Sequence, residues 1–400
     1  MSRLDADVIV VGAGPAGAAT AAHLACAGCD VLLLDRATFP REKACAEYLS
    51  PGVVEQLDDL GVLDAVAERG GQWLRGMRVG TARGEIHLDF AASDPPRRGL
   101  GIPRLVLDQI LVEHAVAAGA RMWERTRVRG VVVEEGRVVG VAVSATGSHG
   151  GDAVLRARFV VGTDGVHSTI ARSLGLTRPV RWPRRLGLVA RYAGATRLDG
   201  TGHMRVGPDL YCGLAPVGDG VVNVGLVGPL GRKPPGEPTS AYFERCLAEV
   251  PGVSEALEGA QRVTPVRGVG PLASRVRRVA GPGYLLVGDA AGFLDPFTGE
   301  GIFRALRGAA LAADALVSAL ARGDTVATGY ADARRAAFRD KAALCLLIQG
   351  FLGARPLLDY ALARIAERPD IEARLTGVLG DFAPARPALH PGFLWALLKP

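Results

Sequence analysis

Two acids in this chain close short apolar runs and stand among residues small enough to let a ligand reach the main chain. Asp35 follows the run at residues 31–34; upstream of it Gly12, Pro15, Ala16 and Gly17, with Gly14 between, give the spacing G-x-G-x-x-G. Asp289 lies in GDAAGFLDPFTGEGI, residues 288–302, where Gly288 precedes it, two alanines follow, and Pro296 leads to Gly299, Glu300, Gly301 and Ile302. A carboxylate so placed accepts hydrogen bonds from the hydroxyls of a sugar or polyol. A helix start lacking side chains offers free N–H groups and a positive dipole end to an anionic ligand.

Residues 7–11 form a short branched apolar run suited to a buried parallel strand. The glycine loop follows at once and residues 18–27 continue as helix, so the glycines have separate tasks. Gly12 makes the turn, Gly14 admits a pyrophosphate to the backbone, and Gly17 lets helix and strand pack closely. Asp35, at the end of the second strand, is placed to bond the ribose of an adenosine. This strand–helix–strand unit predicts dinucleotide binding. It does not separate FAD from NAD(P), because both contain an ADP half. Cys26 and Cys29 have redox spacing, but Gly28 between them reads as the helix's C-terminal turn, which favours packing.

Two further segments extend the pattern. VVGTDGVHSTIARSLGL, residues 160–176, resembles the Asp-Gly motif of the flavoprotein superfamily that includes aromatic hydroxylases, flavin-dependent halogenases and geranylgeranyl reductases. GDAAGFLDPFTGEGI resembles its Gly-Asp motif. With the N-terminal fingerprint, the resemblance runs in the family's order over nearly the whole chain. It implies an α/β fold: a Rossmann-type FAD-binding domain, an inserted and mainly antiparallel β-sheet substrate domain, and C-terminal helices, as in para-hydroxybenzoate-hydroxylase-like proteins. FAD carries a ribityl chain with three hydroxyls, and Asp289 suits it. The resemblance places Asp164 and Gly165 behind the pyrophosphate and Arg104, in GIPRLVLDQIL, toward the adenosine side. It adds cofactor contacts at Arg36, Lys43, Cys45, Ala46 and Val128. Asp108 reads as a structural polar residue in the first turn of a helix. Pro296 fixes the loop, and residues 299–302 present main-chain N–H groups to the flavin edge where reduced flavin carries negative charge.

The substrate side is carried by two segments. FPREKACAEYLSPG, residues 39–52, resembles the Arg-, Lys- and Cys-containing loop of geranylgeranyl reductases, with Ala46, Glu47 and Tyr48 where small glycines are usual. Cys45 either touches the flavin or packs, and Glu47 and Tyr48 are candidates for substrate contact or proton transfer. LYCGLAPVGDGVVNVGLVG, residues 210–228, reads as a hairpin turning at residues 218–220. Pro216 and the NVGL continuation keep the reductases' pattern, while Cys212, Gly213 and Ala215 replace large residues and leave a roomier apolar cavity that Tyr211 and Phe297 also line. The Trp-x-Trp-x-Ile-Pro segment of halogenases is missing, and Gly292 stands where many hydroxylases carry histidine; His23, His87, His114, His149, His167, His203 and His390 include no pair four apart suited to a metal.

The positioning elements divide the chain into a discontinuous FAD-binding domain (residues 1–75, 100–175 and 275–320), a substrate domain (76–99 and 176–274) and a helical region (321–400). With 48% apolar residues the chain can bury a large core. The formal charge of +6 comes from arginine spread without aromatic interleaving, which argues against nucleic acid. Six cysteines in 400 residues do not form a disulfide framework, and Met1 leads through an acidic spacer into a strand, so a cytoplasmic protein is expected. Residues 342–354 are too short to span a bilayer and read as a buried helix or tunnel wall. The tail, residues 390–400, is expected to dock on the body, with peripheral membrane contact as the alternative. The reading is an FAD-dependent oxidoreductase of a bulky apolar or aromatic metabolite (polyketide, phenolic or isoprenoid), with NAD(P)H as a transient donor. Monooxygenation through a flavin C4a-hydroperoxide leads, followed by reduction of carbon–carbon double bonds and by a non-catalytic flavin or electron-relay role.

Overall fold

The computed structural model describes residues 3–145 and 151–398; His149 and Lys399 lie outside them. Five parallel strands form the first sheet, in the order Tyr284–Leu286, Gly151–Gly162, Ala6–Val11, Val31–Leu34 and Arg121–Trp123. The two faces of these strands are divided by residue parity, as the pleat requires. Val8, Val10, Val31 and Leu33 pack with the helices Pro15–Cys26, Arg104–Ala117 and Gly301–Arg322. Ile9, Val11, Leu32 and Leu34 pack instead under an antiparallel extension made by Thr126–Glu134, Arg137–Ala145 and the first half of Gly151–Gly162. Both faces are covered, which is why these strands read as unbroken apolar runs.

The second sheet runs Gln261–Arg262, Arg185–Ala193, Val221–Pro229, Tyr211–Gly218, Thr201–Val206, Gly76–Gly80 and Glu85–Asp89, with Arg267–Val269 also beside Arg185–Ala193. Its pairs are antiparallel except Thr201–Val206 with Gly76–Gly80. The hairpin expected at residues 210–228 is present, and its turn places Asp219 and Gly220 at φ 52° and 68°. Leu188, Ala190, Cys212 and Leu214 face the helix Thr239–Ala248. Tyr211 and Ala215 face the other way, toward Phe297 and the C-terminal helices. A small sheet of Tyr48–Leu49, Gly99–Gly101 and Gln72–Leu74 bridges the two large ones.

The C-terminal region consists of the helices Tyr330–Gly353, Arg355–Ala366, Pro369–Leu379 and Pro391–Leu398. Residues 342–354 fall mostly in the first of these, where Leu344, Cys345, Gln349 and Leu352 are buried. Among the described residues no single helix is long and apolar enough to cross a membrane; the pair Tyr330–Gly353 and Arg355–Ala366, bent by 115°, meets length and composition only when taken together. The tail docks through Phe393 and Leu397, while Trp395 is 70% exposed.

One buried ion pair ties this region to the rest of the molecule. Lys341 Nζ stands 2.8 Å from Asp381 Oδ1 and donates to the Val378 carbonyl, and Ser50 Oγ donates to Asp381 Oδ2 at 2.7 Å. Ser50 directly precedes the helix Pro51–Asp59, so the clasp sets where the C-terminal helices sit against the loop at residues 39–50. Removing one partner of a buried pair strands the other. Asp381→Ala is therefore expected to lower stability by about 3 kcal/mol, read as a lower denaturant midpoint.

Candidate functional site

The N-terminal glycine loop is built around contacts that exclude side chains. A Cβ on Gly17 would overlap the Gly12 carbonyl and lie 2.7 Å from Thr163 Oγ1, and that hydroxyl donates to the carbonyls of Val11 and Gly12. Asp35 Oδ2 accepts from the Ala13 N–H at 2.8 Å and Oδ1 from Ala37 N–H at 2.9 Å, which fixes the carboxylate beside the loop. Asp164 accepts from Thr169 and Ile170 N–H with Oδ2, whereas its buried Oδ1 has no partner. Burial raises the Asp164 carboxyl above the usual range against the pull of these donors.

Two guanidiniums stand over this loop. Arg104 makes a bidentate pair with Asp108 at 2.7 and 2.8 Å, and Arg41 reaches the same carboxylate at 3.2 Å and Asp35 at 3.7 Å. Their Nη2 atoms lie 3.7 and 3.6 Å from the position of a Cβ on Gly14, the residue assigned to pyrophosphate approach. Asp108 thus has a structural role, but for a different reason from the one expected: it is fully buried in the second turn of Arg104–Ala117 and aims both arginines. Arg36 is exposed, and Val128 is buried in the layer under Leu34.

The loop at residues 39–50 is held by Glu47, a buried residue at φ 58°. A non-glycine residue held there costs about 1–3 kcal/mol, and the contacts of its own carboxylate offset that cost. Glu47 Oε1 accepts the Arg104 N–H at 2.8 Å, Oε2 accepts Arg191 Nε at 2.8 Å, and Arg191 Nη2 also meets Oε1. Arg191 pairs with Glu42 as well. With its oxygens so engaged, Glu47 is placed to hold Arg104 and the loop. Cys45 is partly buried, its carbonyl accepts from Asn223 Nδ2 at 2.9 Å, and its thiol lies beside the Arg104 guanidinium. Ala46 packs near Gly225.

Asp289 sits on a single 3-10 turn, Gly288–Ala291, and among the described residues its carboxylate makes no hydrogen bond. Burial raises its carboxyl, while Arg304, Lys43 and Arg104 pull it down. The Lys43 ammonium is lowered by desolvation in the same cleft and by Arg104 and Arg41. Ser274 Oγ donates to the Asp289 carbonyl and accepts the Phe293 N–H. Past Pro296, Gly299 adopts φ 69°, and a Cβ there would meet the Tyr48 ring at 3.1 Å, so glycine is needed for both conformation and space. Glu300 occupies the N-cap position of Gly301–Arg322 without a capping side-chain bond, pairing one oxygen with Arg304 at 3.0 Å and leaving the other buried and unpartnered. Ile302 is buried in the first turn.

Tyr48, Tyr211, Ala215 and Phe297 belong to one apolar cluster beside this turn. Tyr211 packs edge-on to Phe297 with ring centres 5.2 Å apart. A Cβ at Gly213 would find only the tip of Met204, at 3.6 Å, and the Pro216 carbonyl closes against Gly101. Burial raises the Tyr48 phenol far above its ordinary value. Asp295, Arg185, Arg191, Arg41 and Arg304 were not singled out from sequence. Arg41 and Asp295 lie inside the quoted motifs, and Arg185 and Arg191 are six residues apart on one strand, on the same face.

A cleft with a glycine-bounded phosphate loop, an unpartnered Asp164 oxygen and a carboxylate lacking protein donors fits a dinucleotide with a polyol arm. The class defined by this fold and cleft is the flavin-dependent oxidoreductase. Residues 5–343 match the FAD binding domain family, and the chain belongs to that family. It is 34% identical to the menaquinone reductase of Mycobacterium tuberculosis, over 91% of this chain and 90% of that protein. It is 35% identical to digeranylgeranylglycerophospholipid reductase 1 of Methanopyrus kandleri, over 84% and 88%. The crystal structure of a geranylgeranyl bacteriochlorophyll reductase-like protein from Thermoplasma acidophilum superposes with a TM-score of 0.80 at 24% identity, covering 96% of each chain.

Because Asp289 has no protein hydrogen bond to lose, Asp289→Ala should leave the apoprotein's unfolding free energy within about 0.5 kcal/mol of wild type. It should cut retained FAD at least tenfold, measured as the ratio of flavin to protein absorbance.

Proposed function

We propose that the protein reduces carbon–carbon double bonds in an isoprenoid chain, with NAD(P)H as the electron donor. The observation that carries this reading is the near full-length likeness to two reductases whose named substrates, menaquinone and a digeranylgeranyl lipid, share an unsaturated isoprenoid chain. FAD bound there and reduced by the donor would supply the electron pair as hydride.

The protein's own residues do the rest. Arg41, Arg104 and the glycine loop would hold the pyrophosphate, Asp35 the ribose and Asp289 the ribityl hydroxyls, while Lys43 would balance charge in the cleft. The helix start at Gly301 would offer its main-chain N–H groups to the flavin edge. Tyr48, Tyr211, Ala215 and Phe297 form a dry wall for the chain, and the missing side chain at Gly213 gives it width. Cys45 serves as a cofactor contact next to Arg104. A concavity of about 640 Å³ lined by Arg178, Arg181, Arg275 and Arg277 adjoins Ser274, and none of the four arginines is in an ion pair among the described residues. Its charge suits the phosphates of the donor. Leu346, Leu357, Tyr360 and Trp395, exposed on the C-terminal helices, offer peripheral contact with the membrane that holds such a substrate.

Oxygen insertion is the competing chemistry, since aromatic hydroxylases resemble this chain in the same motifs. The two differ in product mass. Holoenzyme reduced without oxygen and mixed with a polyprenyl lipid should give a product 2 Da heavier per double bond. A product 16 Da heavier, formed only in air, would overturn the assignment.

A further inference from the structure

Asp295 is a fully buried carboxylate on the residue before Pro296, and its surroundings are incompletely paired. Its Oδ1 accepts the Tyr211 hydroxyl at 2.7 Å and the Phe297 N–H at 3.0 Å. Its Oδ2 has Arg185 Nε at 3.5 Å and completes no hydrogen bond. Gln349, from the helix Tyr330–Gly353, is also fully buried, and neither of its amide atoms completes a hydrogen bond although the amide adjoins Asp295. Arg185 further lies over the Tyr211 ring, 5.2 Å from its centre. Two buried polar groups with open valences, side by side, call for a water or another polar partner between them.

The location gives this polar site a use. Tyr211 projects from the apolar wall that also contains Tyr48 and Phe297. Saturating a double bond needs a proton at the carbon next to the one that takes hydride, and an apolar wall provides no solvent proton. A phenol can donate only if it is reloaded, and Tyr211 is hydrogen-bonded to a carboxyl group. We propose that Tyr211 delivers the proton of double-bond reduction and that Asp295 reloads it, an inference that rests on the reductase reading above.

The electron pair of the hydride, supplied by bound reduced FAD, forms one new C–H bond. The π pair takes the phenolic proton of Tyr211 to form the other. The phenolate oxygen recovers a proton from the Asp295 carboxyl across the 2.7 Å contact, leaving the carboxylate facing Arg185. A proton from bulk solvent, passed along a water between Asp295 and Gln349, restores the Asp295 carboxyl and leaves that water unchanged. The charged and titratable groups facing Asp295 are Arg185 and Tyr211 from the sheet and Cys345 from the helix that carries Gln349, with the Glu300–Arg304 pair beyond Cys345. Burial raises the Asp295 carboxyl, opposed first by Arg185, in keeping with a group that holds a proton between turnovers.

The test uses holoenzyme of wild type, Tyr211→Phe and Asp295→Asn, reduced without oxygen and mixed with a polyprenyl lipid in single turnover. Tyr211→Phe should lower the limiting rate of product formation about 100-fold or more with the half-saturating lipid concentration unchanged. Asp295→Asn should keep a first turnover near wild type but slow repeated turnover with excess donor comparably, because the phenol is not reloaded, and abolish the fall in steady-state rate seen as pH rises through the carboxyl's titration. Independently of turnover, infrared difference spectra of the wild-type protein should show a protonated-carboxyl stretch that persists above the ordinary aspartate range and is missing in Asp295→Asn. A wild-type rate in Tyr211→Phe, or the absence of that band from wild type, overturns the proton relay while leaving reduction intact. Failure of wild type to reduce the lipid removes the reductase reading and the relay with it. Should Asp295→Asn not fold, the rate of Tyr211→Phe and the wild-type band decide.

Discussion

The cleft depends on two arginines on one face of one strand. Arg191 and Arg185 sit six residues apart on Arg185–Ala193, so the pleat points both away from the helix Thr239–Ala248 and toward the first sheet. Arg191 grips Glu47 and Glu42 in the loop at residues 39–50, and Arg185 meets Asp295 at the start of the turn that ends in Gly299–Glu300. Each pair brings charges out of water, which is costly in isolation. Glu47 repays that cost through the N–H of Arg104 and so passes its fixed position on to the guanidinium over the glycine loop. One strand of the second sheet therefore sets the geometry of both the loop at residues 39–50 and the turn at residues 295–300.

The electrostatics of the cleft follow from that arrangement. Arg41, Lys43, Arg104 and Arg304 stand among Asp289, Asp108, Asp35 and Glu300, four cations facing four carboxylates in the cleft that the proposed function gives to the pyrophosphate and the flavin. The apolar wall of Tyr48, Tyr211 and Phe297 lies on the other side of the Gly299 turn. Under the proposed function, the anionic cofactor and the hydrocarbon substrate would meet different halves of the same loop pair.

Much of this was legible in sequence because it is local. The glycine spacing, the strand runs at residues 7–11 and 31–34, the Asp-Gly-Val and Gly-Asp-Ala segments, and the hairpin turn at residues 218–220 are each decided by neighbours a few positions away. The engagement of Glu47 is not legible in the sequence because its partners, Arg104 and Arg191, are 57 and 144 positions distant. Read alone, a buried acid beside a tyrosine suggests proton transfer; its saturation by three donors appears only in the fold. Asp295 was passed over beside Pro296 for the same reason, since Tyr211 and Gln349 come from another sheet and another helix. Arginines in an arginine-rich chain carry no signal of their own, and only the register of Arg185–Ala193 distinguishes the two that matter.

The central claim is that Arg191 shapes the cofactor cleft through Glu47. A double-mutant cycle on FAD affinity of Arg191→Met, Glu47→Gln and the pair tests it most directly. Each single change should weaken FAD binding about 30-fold, and the double variant should be little worse than Glu47→Gln alone, a coupling of about 2 kcal/mol. Additive losses, or unchanged affinity in Arg191→Met, would contradict the account.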